Sequence, residues 1–277
     1  MKRYLQAVAL LFFFAGGIAL VNWIRTPKSA PRETVVIKNM VATLDANEAR
    51  APYETTQTNE NDPPPQLTIN AALVKSSIDN RVFYEVNPDQ HWPLASLTKL
   101  MNGVIALENF PATATRNNLI KRMMVLSDNS AADALADMLG MGPYVALMNA
   151  KAQSLNMAQT GFSDASGLSY LNQSTIRDID KLVTYIMLRH PELLAWSRAK
   201  TVRIDGKDYR NINEFASRPD FVGGKTGFTD EANGNLVTVF TTASGPVTVI
   251  TLGAPTKEDR FIETLLLLSW ATRHFKL

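Results

Sequence analysis

The 277-residue chain contains no cysteine, so neither a disulfide scaffold nor a thiolate metal site is open to it. Histidine is scarce. His91, His190 and His274 are scattered and show no His-Glu-x-x-His spacing, which argues against a zinc peptidase. Charge of one sign is also lacking. Lys and Arg number 28 against 26 Asp and Glu, a net of +2 without a dense basic cluster, so nucleic acid is not an expected partner. No metal and no cofactor are implied. The remaining composition, 45% hydrophobic and 19% charged, suits one medium globular domain with additional segments.

One such segment is N-terminal. Lys2 and Arg3 precede an uncharged, largely apolar run from Tyr4 to Ile24, which as a helix spans roughly 31 Å, about the hydrocarbon thickness of a bilayer. Residues 1–24 therefore read as a membrane anchor. A cleaved signal peptide is the competing reading, weakened because the small-residue site near Ser29-Ala30 runs into Pro31. Residues 25–66 read as a flexible polar stalk ending in Pro63-Pro64-Pro65. The folded domain is expected over 67–277.

Within it, Ile69 to Ser76 and Arg81 to Val86 are β-rich and meet around Asp79-Asn80, a hairpin signal. Helical periodicity marks 96–110, 116–126, 130–139, 142–155 and, capped by Ser174, a stretch to about Leu188. Residues 201–204, 236–242 and 247–253 read as strands, and 257–275 as a closing helix. Strands at both ends with helices between them predict an α+β fold, an antiparallel sheet flanked by helices.

Three polar motifs interrupt this apolar background in order: Ser96-Leu97-Thr98-Lys99, Ser127-Asp128-Asn129 and Lys225-Thr226-Gly227. A serine hydroxyl needs a base before it can attack, and residues three apart share a helix face, so Lys99 is the nearest candidate base for Ser96. It must be neutral to act, and burial or the charge of Lys225 would lower its pKa. Two antiparallel helices, 96–109 and 116–126, would return Ser127 and Asn129 beside Ser96. Ser127 would relay a proton and Asn129 would hold a carbonyl. The Lys225 segment, flanked by glycines, reads as an edge strand able to align an extended peptide. Ser197-Arg198-Ala199-Lys200 repeats the first spacing and Ser154-Leu155-Asn156 the second, but neither stands in this order.

Residues 67–277 resemble the serine-type D-alanyl-D-alanine carboxypeptidases, the low-molecular-weight penicillin-binding proteins of the β-lactamase/transpeptidase-like superfamily. The likeness extends through Pro93 to Met101, Leu126 to Ala132, Asp164 to Leu168 with Asn172 to Thr175, and Gly224 to Thr229. It implies an acyl-enzyme on Ser96, with Lys99, Ser127, Asn129 and Lys225 as its catalytic partners. It implies an oxyanion hole from the Ser96 and Phe228 amides, and a substrate strand at Thr226, Gly227 and Phe228. Arg260 falls where the family carries an arginine for the substrate's terminal carboxylate. The implied substrate is a peptidoglycan stem peptide ending in D-Ala-D-Ala, with β-lactams as inhibitors and the catalytic domain outside the cytoplasmic membrane.

Two departures stand out. Ser127 follows Ser96 by only 31 positions, shorter than the family's usual interval, so one wall of the groove is expected to differ. The chain also ends after the closing helix, without the second β-rich domain and C-terminal anchor of many members, a role the N-terminal run would take over. A DD-endopeptidase uses the same chemistry. A β-lactamase is disfavoured because Phe162 to Gln173 contains no glutamate. A catalytically weak penicillin-binding sensor or scaffold is the reading from a different class, opposed by the intact trio.

Overall fold

The structure, a computed structural model, describes residues 62–277. A five-stranded antiparallel sheet carries the fold: β1 (Ala71–Ser76), β2 (Val82–Val86), β7 (Phe221–Thr229), β8 (Asn233–Thr242) and β9 (Gly245–Ala254), in the order β2-β1-β9-β8-β7. β7, which bears Lys225 to Gly227, is an edge strand. Side chains alternate along each strand, so the sheet sorts them between two cores. Leu73, Val237, Ile250 and Leu252 join the helical cluster on one face. Ala72, Val74, Phe240 and Val249 pack on the other against α7 (Asp259–Phe275), whose Leu267 and Trp270 are buried there.

The helical cluster comprises α1 (Thr98–Asn109), α2 (Ala114–Leu126), α3 (Asn129–Asp137), α4 (Met141–Ser154), α5 (Ile176–Arg189) and α6 (Pro191–Ser197). α1 is buried from Thr98 to Ala106, as a helix enclosed on all sides must be. Two small pairings, β3 (Trp92–Pro93) with β4 (Gln173–Ser174) and β5 (Thr201–Ile204) with β6 (Lys207–Arg210), complete the topology.

Two local expectations are corrected, and one element was missed. Ser96 lies in a 3-10 turn, Ala95–Leu97, before the α-helix begins. α5 is capped by Thr175, whose hydroxyl accepts from the Asp178 amide. Ser174 instead bonds Thr160 at 2.7 Å. α6 was not foreseen, since two turns opened by Pro191 are too short for periodicity to register.

The expected anchor over residues 4–24, and the stalk as far as residue 61, lie outside the described residues. Asp62 meets α7, the Trp270 indole donating to its carbonyl at 3.0 Å and its carboxylate lying 3.2 Å from His274 Nδ1. Glu263 of α7 accepts from the Thr68 and Ile69 amides, each at 3.0 Å, tying the last helix to the first strand. Among the described residues no helix is long and apolar enough to cross a membrane.

Candidate active site

The first serine sits on a strained turn. Ala95 has φ +47°, a left-handed conformation that a non-glycine residue adopts at a cost of ~1–3 kcal/mol. Its surroundings enforce it. A Cβ on Gly167 would stand 1.9 Å from the Ala95 carbonyl oxygen, and one on Gly227 2.9 Å from that of Leu94. Only glycines therefore let the 164–172 loop and β7 close on the turn from either side. Buried Asn235 fastens the approach, donating to the Pro93 carbonyl at 2.8 Å while its own oxygen accepts from the Gly253 amide.

Lys99 opens α1 and is completely buried. Its ammonium donates to Ser96 Oγ at 2.9 Å, to Asn129 Oδ1 at 2.7 Å and to the Ser166 carbonyl. Burial lowers its pKa to about 8, against the opposing charges of Asp164, Asp133 and Asp128. Of the two expected causes, burial acts on Lys99 and the charge of Lys225 does not. The like-charge effect falls on Lys225, held well below 10.5 by burial, then by Lys99 and Arg260.

Ser127 ends α2 in the left-handed region, φ +57°. That break turns the chain sharply enough to present Ser127 while Asn129 begins α3. Asp128 between them is occupied structurally: it caps α3 through the Ala131 amide and pairs with Arg122 at 2.6 Å. Lys225 Nζ donates to Ser127 Oγ at 2.8 Å. The two serines thus each face a buried lysine, and the expected antiparallel helix pair brings them together.

They open onto one cavity of about 400 Å³, shared with Thr226, Gly227, Phe228 and Arg260. Arg260 is buried. One Nη donates to the Gly227 carbonyl at 2.7 Å, while its buried Nε has no hydrogen-bond partner. Burial lowers its pKa to about 10, and the charges of Glu258 and Glu214 partly restore it. All nine sequence-derived residues gather here, with Lys99 and Lys225 reaching the serines by hydrogen bonds and Asn129 joined to Lys99. Ser197 belongs elsewhere: it is buried, donates to the Leu194 carbonyl and accepts from the Gly224 amide at 2.9 Å, joining α6 to β7.

Sequence reasoning missed several supporting residues. Asn102 donates to the Ala132 and Ala165 carbonyls at 3.1 and 2.9 Å, bracing α1 against α3 and the central loop. A lone asparagine within an apolar helical stripe was its signal. Asn172 holds the same loop through Thr98, Ser163 and Asp164. Ile212, Glu214, Lys257, Glu258 and Phe261 also line the cavity, and nothing in their spacing marked Ile212 or Glu214. Among the described residues no group of three or more acidic or histidine side chains is placed to hold a metal.

Comparison with known proteins places this geometry in context. A family profile described as D-alanyl-D-alanine carboxypeptidase matches residues 109–256, a span holding Ser127, Asn129 and Lys225 and beginning after Lys99. The chain is 31% identical over 241 residues to a D-alanyl-D-alanine endopeptidase of Pseudomonas aeruginosa, covering 74% of this chain and 77% of that protein. It is 27% identical over 251 residues to D-alanyl-D-alanine carboxypeptidase DacA of Haemophilus influenzae, covering 77% and 64%. The fold matches the cefotaxime-bound crystal structure of penicillin-binding protein D2 from Listeria monocytogenes with a TM-score of 0.69 and 30% identity, over 76% of this chain and 99% of that one.

Proposed function

Because the chain belongs to the D-alanyl-D-alanine carboxypeptidase family of serine hydrolases, we propose that Ser96 is its nucleophile and that it removes the terminal D-alanine from peptidoglycan stem peptides. The observation that carries this reading is the paired contact of two serines with two buried, pKa-lowered lysines at one cavity. With a pKa of about 8, roughly a tenth of Lys99 is neutral at pH 7, enough to take the Ser96 proton. Ser96 Oγ then bonds the carbonyl carbon of the penultimate D-alanine. The amides of Ser96 and Phe228 receive the oxyanion.

Ser127, hydrogen-bonded to Lys225, passes a proton to the departing amine as the C–N bond breaks. Water hydrolyses the ester, restoring Ser96. Asn129 steadies Lys99 and the substrate's amide, and the peptide lies along the edge of β7 at Thr226 and Gly227. Arg260 takes the terminal carboxylate, its unpartnered Nε supporting that role. β-Lactams acylate the same serine. We place the domain outside the cytoplasmic membrane, tethered through residues 4–24.

Arg260 supplies the test. Charge-assisted hydrogen bonds are worth ~1.5–3 kcal/mol, so Arg260→Ala should slow cleavage of an acyl-D-Ala-D-Ala peptide by roughly 10- to 150-fold. Amidating the peptide's C-terminus should cost the wild type a similar factor and the variant little more, because both changes remove one interaction. Penalties that multiply would separate Arg260 from the carboxylate.

A second reading, a DD-endopeptidase, is favoured by the name of the Pseudomonas relative. It differs only in the leaving group, an amine on a neighbouring stem peptide. Release of monomers from a cross-linked muropeptide dimer, against release of D-alanine from a pentapeptide, separates the two.

A further inference from the structure

The β5–β6 hairpin carries charge that the catalytic reading does not use. Arg198, Lys200, Arg203, Lys207 and Arg210 stand against Asp205 and Asp208, a net of +3 over residues 198–210 of a chain whose total is +2. Set two to four positions apart, they make no basic run in the sequence. Folding gathers them. Arg203 pairs opposite Asp208, and Thr201 opposite Arg210, and opposed residues share a face of the ribbon. Lys207 falls on the other face with Val202, Ile204 and Tyr209. Every residue of β6 is exposed, so the ribbon offers cations to solvent on both faces.

Little of this charge is neutralised. Arg203 meets Asp208 at 3.6 Å and donates to the Gly206 carbonyl at 2.9 Å. Lys200, Lys207 and Arg210 are exposed, and none is in an ion pair among the described residues. Lys207 Nζ lies 5.4 Å from the centre of the Tyr209 ring. Edge strands carry charge to block pairing with other sheets, but either sign serves that purpose, and here the excess is one-sided. The base of the hairpin is held firmly at the rim of the cavity. The Asn211 amide donates to the Lys200 carbonyl at 2.8 Å and the Ile212 amide to the Val125 carbonyl at 3.2 Å. The Asn211 side chain also donates to the Ser197 and Ala199 carbonyls. Ile212, two positions after Arg210, lines the cavity.

We propose that the β5–β6 hairpin is a docking surface for the peptidoglycan polymer, engaging carboxylates of stem peptides that neighbour the one being cut. This rests on the DD-peptidase reading above and adds a polymer-binding site outside the cavity. Each stem ends in a carboxylate, so a polymer bearing many stems is a polyanion whose repeated charges complement a ribbon of cations. Holding it there raises the effective concentration of stems at Ser96. An acidic lipid surface fits less well. Binding to one draws on buried apolar area as well as cationic charge, and the tip of this hairpin is Asp205-Gly206.

The experiment sediments full-length Ser96→Ala protein, in a neutral detergent, with lipid-free peptidoglycan sacculi, so that neither cleavage nor acylation alters the polymer. Adding Lys200→Gln, Lys207→Gln and Arg210→Gln together should weaken retention by roughly 10-fold, the scale of three exposed ion pairs. High salt, or methylamidation of the sacculus carboxylates, should erase that difference. With Ser96 intact, the triple variant should keep the wild-type Tm and the wild-type kcat/KM on a soluble acyl-D-Ala-D-Ala peptide. Unchanged retention, a difference that survives amidation, or a matching loss of soluble-peptide turnover would overturn the docking surface. Unchanged retention with lost attraction to phosphatidylglycerol-doped micelles would assign the hairpin to acidic lipid instead. A wild-type protein that binds sacculi through these cations but cleaves no soluble peptide would overturn the DD-peptidase reading and leave the docking surface standing.

Discussion

At the scale of single residues, the proposed mechanism gives two lysines the activation of a serine in a protein with so little histidine. Lys99 is buried beside three aspartates that oppose its loss of charge, and burial still wins. Since the base must be neutral, acylation by a β-lactam should rise as pH climbs through about 8 and level off above it. Lys99→Arg keeps a cation that does not deprotonate and should lower the rate by orders of magnitude at every pH. A stopped-flow rate constant independent of pH between 6 and 9 in the wild-type protein would move the base elsewhere. Lys225 is the alternative, its pKa also lowered by burial. Ser96, Lys99 and Lys225 were legible because each is an unusual residue in a fixed order. Asn235 was not, because its role depends on β8 meeting the Pro93 turn, a contact that no local pattern encodes.

At the scale of elements, the helix termini do most of the positioning. The left-handed Ser127 at the end of α2 and the Asp128 cap of α3 set two site residues on one bend. The long helices and most strands, β5 among them, were readable from their patterns, whereas α6 and the four-residue β6 were too short. A second clamp lies away from the cavity, where α5 meets α6. His190 Nε2 is 3.0 Å from Glu108 and its Nδ1 3.7 Å from Glu192. Burial opposes the charged ring, but hydrogen bonds and charges from both glutamates outweigh it and raise its pKa above 6.5. A raised folded-state pKa contributes stability that is present in full below the unfolded value and fades as pH rises through the folded one. His190→Gln should therefore lower Tm most below pH 6.5, the gap to wild type shrinking toward alkaline pH. A gap that widens with pH would reverse the assignment.

At the scale of the whole molecule, the sheet joins sequence-distant ends around the cavity. β1 lies between β2 and β9, and Glu263 of α7 holds the chain just before β1. Glu263→Ala would leave the Thr68 and Ile69 amides without this partner at a cost of ~1–3 kcal/mol each, read as a lower urea midpoint at unchanged m-value. Unchanged stability would mean that water replaces the carboxylate. The α+β class followed from strands at both chain ends, but the sheet order did not, since nothing local states that β1 enters beside β9.

The central claim is that this assembly makes Ser96 the nucleophile, and the repeated spacing at Ser197 provides an internal control. Ser197 lies buried between α6 and β7, with its hydroxyl occupied. The direct measurement is to incubate the protein with a labelled penicillin, digest it, and locate the adduct by mass spectrometry. The label should sit on the peptide containing Ser96, vanish in Ser96→Ala and persist in Ser197→Ala. A label that survives Ser96→Ala, or that maps to any other serine, would contradict the account.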